Sequence, residues 1–466
     1  MKAICIGLLV GLSVLCGVAH ADVTYDMIGV GLATAISADG TIVVGNTQGE
    51  YETFRWTLED GIVPLGLATV PVLGGGAGAP DISADGTRIS ATILGRDSTY
   101  ATQGVWTDGV WQETMPPTPP DGGLMGDDYG SAWGLSSDGS TLVGLYWRPG
   151  QPGGSANGSA WTEATGVVGL GSSGGNSRAN EADYDGDVVV GWDADPVVGG
   201  WRPAVWVDGV MTVLDSLTLG GCEATVVSDD GTMVVGQAFD EAGTNCAAVW
   251  RWNGSSWDKK MLGAVPGTFP GYGSVYPNDV TADGSMIVGY NAFDWHQATG
   301  FIWTEETGMV DVEDYLVDNG ITLDSWFDIR TLTGVSDDGT VMVGIGVDGE
   351  FPFYHRSFII RTYATGVAGE SEAPIVAPRV RAFPNPMVGA TTLALTMPQT
   401  GPVSLEIFDV AGRIVRRVAD GPFEAGPHEI PWDGRDAAAV DVPSGIYFCR
   451  LKAGEHEATT KVTVLR

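Results

Sequence analysis

The chain has 466 residues, of which 69 are glycine and 44% are hydrophobic, and its formal net charge is −35. Disordered chains have low hydrophobicity, so this composition excludes a disordered protein and favours an all-β fold with many tight turns. A surface this acidic repels phosphate backbones and excludes most nucleic-acid-binding proteins. Beyond the N-terminus, the sequence has no stretch long and apolar enough to predict a transmembrane span.

Residues 1–21 have the pattern of a secretory signal peptide. Lys2 forms the positive n-region, residues 4–18 form the apolar core, and an A-x-A cleavage site ends at Ala21. Cleavage after Ala21 would make Asp22 the first residue of the mature chain. A lipoprotein signal that uses Cys16 is the alternative, but the residue before this cysteine is leucine, where such signals need a small residue.

An internal repeat dominates residues 30–361. Each copy has a hydrophobic run, the pattern S-x-D-G-[ST] or a close variant, and a β-branched run that ends in glycine, as at residues 36–45. Neighbouring copies are 45 to 55 residues apart, a period typical of β-propeller blades. The seven Asp-Gly pairs begin at Asp39, Asp85, Asp138, Asp185, Asp230, Asp283 and Asp338.

Each copy predicts four strands. Asp-Gly between two apolar runs predicts a hairpin in which both turn residues accept positive φ. A third strand is expected around a recurring tryptophan, as at residues 54–57, and a weaker fourth strand follows, as at residues 61–66. Seven such copies predict a closed, seven-bladed β-propeller over residues 22–361. The seventh copy has no fourth strand, so we expect residues 27–31 to complete the last blade.

The repeat resembles the HAF family of extracellular repeats, whose blades read roughly a-I-S-x-D-G-x-x-V-G and then A-F-x-W-t. The match is best at residues 35–45 and 53–57 and extends over about 330 residues, although most copies lack the histidine of the family name. The resemblance implies export and a propeller-like repeat. It brings no catalytic residues with it.

A second unit follows the propeller. Residues 362–377 form a linker in which Gly, Glu, Ser and Pro replace the repeat, and residues 378–466 have short strands and turn signals. This last unit has ten acidic and ten basic residues, so the excess negative charge lies earlier in the chain. Its landmarks are F-P-N-P at residues 383–386, L-E-I-F-D at 405–409, G-R at 412–413, W-D-G at 432–434 and S-G-I-Y-F at 444–448.

These landmarks resemble the type A C-terminal sorting domain of type IX secretion substrates and the related Ig-like domain of flagellar hook-capping proteins. The resemblance implies a small Ig-like β-sandwich that an outer-membrane export machinery recognises. It also implies a protein that is secreted or held on the outer surface of a Gram-negative-type bacterium. An Ig-like accessory module without a sorting role is the alternative, and cleavage or retention of the domain stays open.

Three cysteines follow the signal peptide, and the oxidising environment outside the cell permits a disulfide between them. Cys222 and Cys246 are close in sequence and are expected to begin the first and third strands of one blade. Strands separated by a third lie about 10 Å apart, too far for a bond unless the loops curl inward, so this pairing stays open. Cys449 is expected to be a buried strand residue.

Catalytic and metal-binding patterns are weak. Ser173 lies in a G-x-S-x-G match, but no strand–turn–helix context surrounds it. The histidines are scattered without metal-ligand spacing, and the repeated aspartates are expected to form turns. Asp127, Asp128 and the acids of residues 311–314 could bind Ca²⁺ through oxygen ligands, although solvated loop charge is the expectation. We therefore predict no catalytic residue, no metal site and no required cofactor.

Binding residues are expected on the loops. In a propeller, the loops between second and third strands open on the same face as those that lead to the next blade, and variable loops on a rigid scaffold usually carry binding. Here these loops vary most in length and contain aromatic residues outside the repeat pattern. Aromatic rings near acids suit sugars, although simple loop packing is the alternative. The five candidate ligand-binding residues are Trp147, Trp192, Trp201, Tyr290 and Trp295.

The sequence thus predicts a secreted or surface-displayed binding or adhesion protein, with a glycan or a protein as its extracellular partner. A hydrolase or lyase acting on extracellular polysaccharide is one alternative, and it would need a carboxylate pair on the central face. A structural envelope protein is the other alternative. The repeat and its chemistry do not identify the ligand.

Overall fold

The structure, a computed structural model, is almost entirely β and contains one short helix among the residues it describes. No helix within this part of the chain is long and apolar enough to span a membrane. The described residues are 22–48, 52–68, 78–95, 101–115, 130–148, 155–197, 199–214, 221–266, 274–292, 298–323, 326–348, 355–363, 379–383, 387–397, 400–410, 412–424, 426–454 and 456–466. The proposed signal peptide lies outside them. The proposed linker was placed two residues too early, since Thr362 and Tyr363 end the last strand of the propeller, and its other residues lie outside the described part of the chain.

The described residues between 22 and 363 form seven four-stranded antiparallel sheets, which confirms the predicted seven blades. The first four blades and the strand that precedes them are built from β1 (Asp22–Val30), β2 (Leu32–Ile36), β3 (Val43–Asn46), β4 (Glu52–Thr57), β5 (Gly61–Ala68), β6 (Asp81–Ile82), β7 (Arg88–Leu94), β8 (Ala101–Thr107), β9 (Val110–Glu113), β10 (Gly130–Leu135), β11 (Leu142–Arg148), β12 (Ser155–Thr162), β13 (Gly166–Gly169), β14 (Ser177–Ala182), β15 (Val188–Ala194), β16 (Trp201–Val207) and β17 (Val210–Val213).

The remaining three blades contain one short helix besides their strands. Their elements are β18 (Ala224–Val227), β19 (Met233–Phe239), β20 (Asn245–Trp252), β21 (Trp257–Gly263), β22 (Ser274–Val280), β23 (Met286–Ala292), β24 (Ala298–Thr304), β25 (Gly308–Asp311), α1 (Val312–Asp318), β26 (Phe327–Val335), β27 (Val341–Asp348) and β28 (His355–Tyr363). Blades 1 to 6 take four consecutive strands each, beginning with β2. Blade 7 has the strand order β1-β28-β27-β26.

The first strand of the chain closes the ring, as predicted. β1 pairs antiparallel with β28, from Asp22 opposite Tyr363 to Val30 opposite Arg356. The buried Ser357 hydroxyl strengthens this closure because it donates to the carbonyl of Gly31 (3.0 Å) and accepts the N–H of Ala33 (2.8 Å). The two ends of the propeller are therefore held in one sheet.

The repeated S-x-D-G turn links each blade to a neighbouring blade. In the first copy the Asp39 carboxylate accepts the Ser37 hydroxyl (2.8 Å) and the N–H of Thr41 (3.0 Å), which confirms its role in the turn. The expectation that both turn residues have positive φ was wrong: Gly40 has φ +69°, whereas Asp39 does not, because the hairpin loop is longer than two residues. A Cβ on Gly40 would lie 2.5 Å from Cγ2 of Val341 in blade 7, so this glycine also allows close contact between blades.

The tryptophans of the third strands fill the space between sheets. Trp206 and Trp250 are almost completely buried and pack against valines and alanines of the adjacent inner strands. Blades 5 and 6 share a larger core around Phe301 and Trp303. This packing explains the continuous apolar runs of the sequence, since a blade between two other blades buries both of its faces.

Helix α1 was not predicted. It follows the fourth strand of blade 6, and Asp311 is its N-cap, with a carboxylate that accepts the N–H of Glu313 (2.9 Å) and the hydroxyl of Thr299 (2.7 Å). Val312 and Leu316 are buried against blades 6 and 7. The acids of residues 311–314 therefore begin a helix, and the described residues contain no group of three metal-ligating side chains.

The C-terminal unit consists of two sheets. Its strands are β29 (Arg379–Phe383), β30 (Met387–Val388), β31 (Thr391–Met397), β32 (Gly401–Asp409), β33 (Ile414–Phe423), β34 (Gly426–Trp432), β35 (Gly445–Ala453) and β36 (His456–Leu465). One sheet has the order β29-β31-β34 and the other β30-β36-β35-β32-β33. Trp432, Leu405 and Cys449 are buried in the shared core, as expected for a small Ig-like sandwich.

Candidate functional site: the central channel of the propeller

The first strands of the seven blades surround a central cavity of about 550 Å³. We call the end where these strands begin the loop face, and the end formed by the S-x-D-G turns the turn face. The residue seven positions before the aspartate of each turn lies near the loop face. The residue four positions before that aspartate lies about 10 Å deeper in the channel, since a strand rises about 3.3 Å per residue. The turns themselves are connected around the turn face by backbone hydrogen bonds, such as Ala38 N–H to Ala84 (3.1 Å) and Asp337 N–H to Ala38 (3.0 Å).

A charged and aromatic cluster forms one side of the channel at the loop face. Arg178 is 9% exposed, forms an ion pair with Glu223, and its guanidinium carbon lies 3.6 Å from the ring centroid of Trp133. Asn180 holds both partners, since its Oδ1 accepts from Arg178 Nε (2.6 Å) and its Nδ2 donates to Glu223 (2.9 Å). Burial lowers the pKa of Arg178, and the Glu223 carboxylate opposes that shift. The cluster therefore presents a fixed, internally balanced pair of charges to the cavity.

Two stacked tyrosines lie beside this cluster. Tyr276 on β22 and Tyr290 on β23 have ring centroids 4.8 Å apart and an interplanar angle of 13°, and both rings line the cavity. Burial, then the neighbouring Tyr276 and Glu223, raises the pKa of Tyr290 to about 12. The loop face of the channel thus combines an aromatic pair, a carboxylate, an amide and a guanidinium. These are the groups that orient ligands in concave binding sites.

The predicted aromatic residues do not form a single cluster. Trp192 is buried and stacks at 4.6 Å and 13° on Trp201, which is 42% exposed. This blade 4 pair adjoins the channel cluster, because the guanidinium carbon of Arg178 lies 5.6 Å from the centroid of the Trp192 ring. Trp147 is half-buried on β11 and pairs with Ala156. Tyr290 lines the cavity, and Trp295 lies outside the described residues. The structure therefore adds Tyr276, Trp133 and Arg178, which the sequence analysis did not select.

Three acids project into the middle of the channel, each four residues before the aspartate of its turn: Asp81, Glu181 and Asp279 in blades 2, 4 and 6. The equivalent residues in the other four blades are Ala35, Gly134, Val226 and Gly334. Sequence reasoning missed these acids because each resembles an isolated polar residue in a strand. An alignment of the seven copies on their Asp-Gly pairs would have shown them.

Asp81 and Asp279 connect neighbouring blades. The two Asp279 oxygens accept the N–H of Val280 and the N–H of Val335 in blade 7, both at 2.8 Å. The two Asp81 oxygens accept in the same way from Ile82 (2.8 Å) and from Leu135 in blade 3 (2.7 Å). These two acids therefore have a structural role, since each joins its own blade to the next one through backbone N–H groups.

The pKa values of all three acids are raised. Each keeps some exposure to the channel but is otherwise enclosed by protein, and this burial raises the pKa of Asp81 to about 6 and that of Asp279 to about 7. Burial and then the Asp81 carboxylate raise the pKa of Glu181 well above its usual range. The hydrogen bond that Glu181 and Asp81 share lowers the pKa of Asp81 and raises that of Glu181, so Glu181 binds a proton more tightly than Asp81 does.

The other residues considered for chemistry have structural roles. The Ser173 hydroxyl donates to Asp193 (2.5 Å) and accepts from Arg202 (2.9 Å), and no histidine contacts it among the described residues. Asp127 and Asp128 lie outside the described residues. Cys222, just before β18, and Cys246, on β20, are buried, unbonded thiols, and so is Cys449 in the C-terminal unit.

Comparison with known proteins adds a family assignment for the C-terminal unit. Residues 387–457 match the FlgD Ig-like domain. No curated protein sequence matches the chain.

Several solved structures are similar in part. The β-propeller domain of the Trilobed protease from Pyrococcus furiosus is 12% identical with a TM-score of 0.44, and the match covers 76% of this chain and 99% of that one. PorZ, a bacterial surface component of the type IX secretion system of Porphyromonas gingivalis, is 14% identical with a TM-score of 0.31, over 91% and 65% of the two chains. TolB from Acinetobacter baumannii is 13% identical with a TM-score of 0.37, over 61% and 63%.

Because these scores are below 0.5, the fold assignment depends on the strand order of the seven sheets, and the similarities say nothing about ligand or activity. The order of the sheets and the family match together define the chain as a seven-bladed β-propeller followed by an FlgD Ig-like domain.

Proposed function

We propose that this protein is an exported binding protein that takes an extracellular glycan at the loop face of its propeller channel. The observation that carries the proposal is the stacked pair Tyr276 and Tyr290 next to Glu223 and Arg178 at the edge of a cavity of about 550 Å³. Aromatic rings provide a flat apolar surface for a sugar ring, and fixed polar groups provide hydrogen bonds to its hydroxyls. A cavity of this size accommodates a small number of sugar units.

The C-terminal Ig-like domain is proposed to bring the propeller to the cell surface through an outer-membrane export machinery. Support comes from the landmark motifs of residues 383–448 and from the contrast in charge, since this domain is neutral whereas the rest of the chain carries the excess of acids. A fusion of residues 362–466 to a fluorescent protein, expressed in a bacterium with type IX secretion, tests this role. Surface fluorescence is the expected result, and retention in the periplasm would contradict it.

The alternative of a polysaccharide-cleaving enzyme has one specific observation in its favour, the hydrogen-bonded pair Asp81 and Glu181. Both oxygens of Asp81 accept backbone N–H groups, and that use leaves this carboxylate poorly placed to act as a nucleophile or a base. We therefore propose binding without cleavage. Incubation with a panel of polysaccharides should release no reducing ends, and release that Glu181→Gln abolishes would establish the enzyme instead.

A glycan array probed with the purified protein, with added Ca²⁺ and again with a chelator, tests the proposed function. We expect specific binding in both conditions. Tyr290→Ala should abolish the signal, because this ring lines the cavity. Trp201→Ala and Trp252→Ala form a matched pair, since the rings are 42% and 44% exposed but lie at the loop-face and turn-face ends of their strands.

The outcomes of the array separate the candidate surfaces. Loss of binding in Tyr290→Ala with retention in Trp252→Ala supports the channel site. Loss in Trp201→Ala alone would move the site to the blade 4 pair, and an array without any signal would remove the glycan hypothesis in favour of a protein partner or a structural envelope role. Loss under chelation would add a Ca²⁺ requirement that the described residues do not predict.

A further inference from the structure

Acidic side chains outnumber basic ones in the lining of the channel. Six acids and two arginines line it, and each arginine already has a partner: Arg178 pairs with Glu223, and Arg330 pairs with Asp328 at 2.7 Å. The other five lining acids have no cationic partner among the described residues. These acids are Asp81, Glu181, Asp229, Asp279 and Asp337.

One of the unbalanced acids, Asp279, lies on the same strand as Tyr276 of the aromatic pair. Tyr276 lies three residues before Asp279 on β22. The tyrosine at the edge of the cavity and the acid deeper in the channel are therefore about 10 Å apart along this strand. One sugar unit that stacks on the tyrosines could therefore place a substituent, or the next unit, among the acids. The distance suits a short oligosaccharide that enters the channel end-on.

The acidic level discriminates among ligands by charge. An anionic sugar would add to the repulsion between the lining acids, which already raises the pKa of Glu181, and a neutral sugar would do nothing to offset it. A protonated amine would instead offset this repulsion. Because a nearby cation favours the ionised form of a carboxyl group, Glu181 and Asp279 would release their protons and accept charge-assisted hydrogen bonds from the amine. A bound metal ion is a poorer fit, since no group of three ligating side chains forms among the described residues.

We propose that the ligand is an oligosaccharide with free amino groups, which stacks a sugar ring on Tyr276 and Tyr290 and places a protonated amine against Glu181 and Asp279. This inference rests on the proposed glycan-binding function and specifies its ligand. The channel then selects amino sugars over their N-acetylated counterparts and excludes acidic sugars. The aromatic pair supplies affinity for the ring, and the acids supply the selectivity.

Titration calorimetry with a matched pair of ligands tests this selectivity. The ligands are a glucosamine tetramer and an N-acetylglucosamine tetramer, which share one backbone and differ in the charge on nitrogen. At about pH 7 and low salt, we expect the amino oligomer to bind about 10- to 100-fold more tightly, the range expected for a charge-assisted hydrogen bond. The preference should shrink as salt is added, since an ion pair is screened.

Three variants locate the selectivity. Asp279→Asn should weaken the amino oligomer about 10-fold and leave the acetylated oligomer unchanged. Asp337→Asn, farther along the channel and outside the Asp279 hydrogen bonds to blade 7, provides a second test if Asp279→Asn folds poorly. Glu59→Gln is the control, because this acid is exposed in a turn remote from the lining residues.

The results distinguish failure of this inference from failure of the proposed function. Equal affinity for both tetramers would overturn the amino-sugar inference and leave glycan binding intact. Tight binding of spermidine that Tyr290→Ala does not change would also overturn it, since an amine would then bind without a sugar. An absence of any binding, together with an array without signal, would overturn the proposed function itself.

Discussion

Replacement of Asp279 by asparagine should change the stability of the propeller in opposite directions at low and high pH. Burial and the neighbouring acids raise the pKa of Asp279 from its ordinary value of 3.8 to about 7. Between about pH 4 and pH 7, the folded protein therefore holds a proton that the unfolded chain has released. Stability supplied by this proton is complete below pH 4 and is lost as the pH rises through 7.

The size of the effect follows from the same pKa. A rise from 3.8 to about 7 corresponds to about 4 kcal/mol, and partial exposure to channel water reduces this to about 2 to 4 kcal/mol. Asparagine does not titrate, so the variant does not lose this stability as the pH rises. However, its amide has one acceptor oxygen, so one of the N–H groups of Val280 and Val335 loses its bond at a cost of about 1 to 3 kcal/mol.

Urea unfolding followed by tryptophan fluorescence at about pH 5 and pH 8 measures both terms. We expect Asp279→Asn to be less stable than wild type at the lower pH and equally or more stable at the higher pH. Asp283→Asn, in the turn of the same blade, is the matched control. Hydrogen bonds from Ser285 and Thr281 lower the pKa of Asp283, so its contribution to stability is lost as the pH falls.

A difference in unfolding free energy between Asp279→Asn and wild type that is the same at both pH values would refute this reasoning. Such a result would mean that Asp279 remains ionised in the folded protein over the whole range. The acids of the channel would then be better hydrated than their enclosure implies. The charge argument for an amine ligand would then be strengthened, because Asp279 would carry its negative charge at neutral pH without a ligand.

Two further substitutions test the packing and closure of the propeller by the same unfolding assay. Gly40→Ala should lower the free energy of unfolding by about 1 kcal/mol or more beyond the loss in Gly61→Ala. The two glycines have φ +69° and +65°, but only Gly40 has a neighbour within 4 Å of an added Cβ. Equal losses in the two variants would contradict the contact between blades at Gly40. Ser357→Ala should lower the free energy of unfolding by about 1 to 3 kcal/mol, because two backbone groups lose their hydrogen-bond partner. Ser90→Ala is the control and should be neutral or stabilising, because the buried Ser90 hydroxyl has no hydrogen-bond partner among the described residues. A large loss in Ser90→Ala, or none in Ser357→Ala, would contradict this account of ring closure.

The repeat made most of the propeller predictable. Each S-x-D-G turn with its flanking apolar runs is a local signal, and seven evenly spaced copies leave few alternatives to a closed ring. The pairing of β1 with β28 followed from a missing fourth strand in the seventh copy, and the structure confirms it. The φ of Asp39 was predicted wrongly because the loop length of a hairpin depends on register, which the dipeptide alone does not determine.

The site was harder to predict than the fold. Trp192 and Trp201 were selected as loop aromatics, and they stack on each other because adjacent strands of one blade bring them together. The channel depends on which residue of each inner strand points to the axis, and β-bulges, such as the one between Pro277 and Asp279, change that alternation. An alignment of the seven copies shows the three acids, but without knowledge of the bulges it does not show that they face the axis.

The measurement that tests the central claim most directly is a calorimetric titration of the strongest array ligand into wild type, Tyr290→Ala and Trp252→Ala. If the glycan binds at the loop face of the channel, Tyr290→Ala should lose at least about 10-fold in affinity, the loss expected from a stacking ring, while Trp252→Ala binds like wild type. Equal affinities in all three proteins would contradict the claim and place the ligand outside the channel.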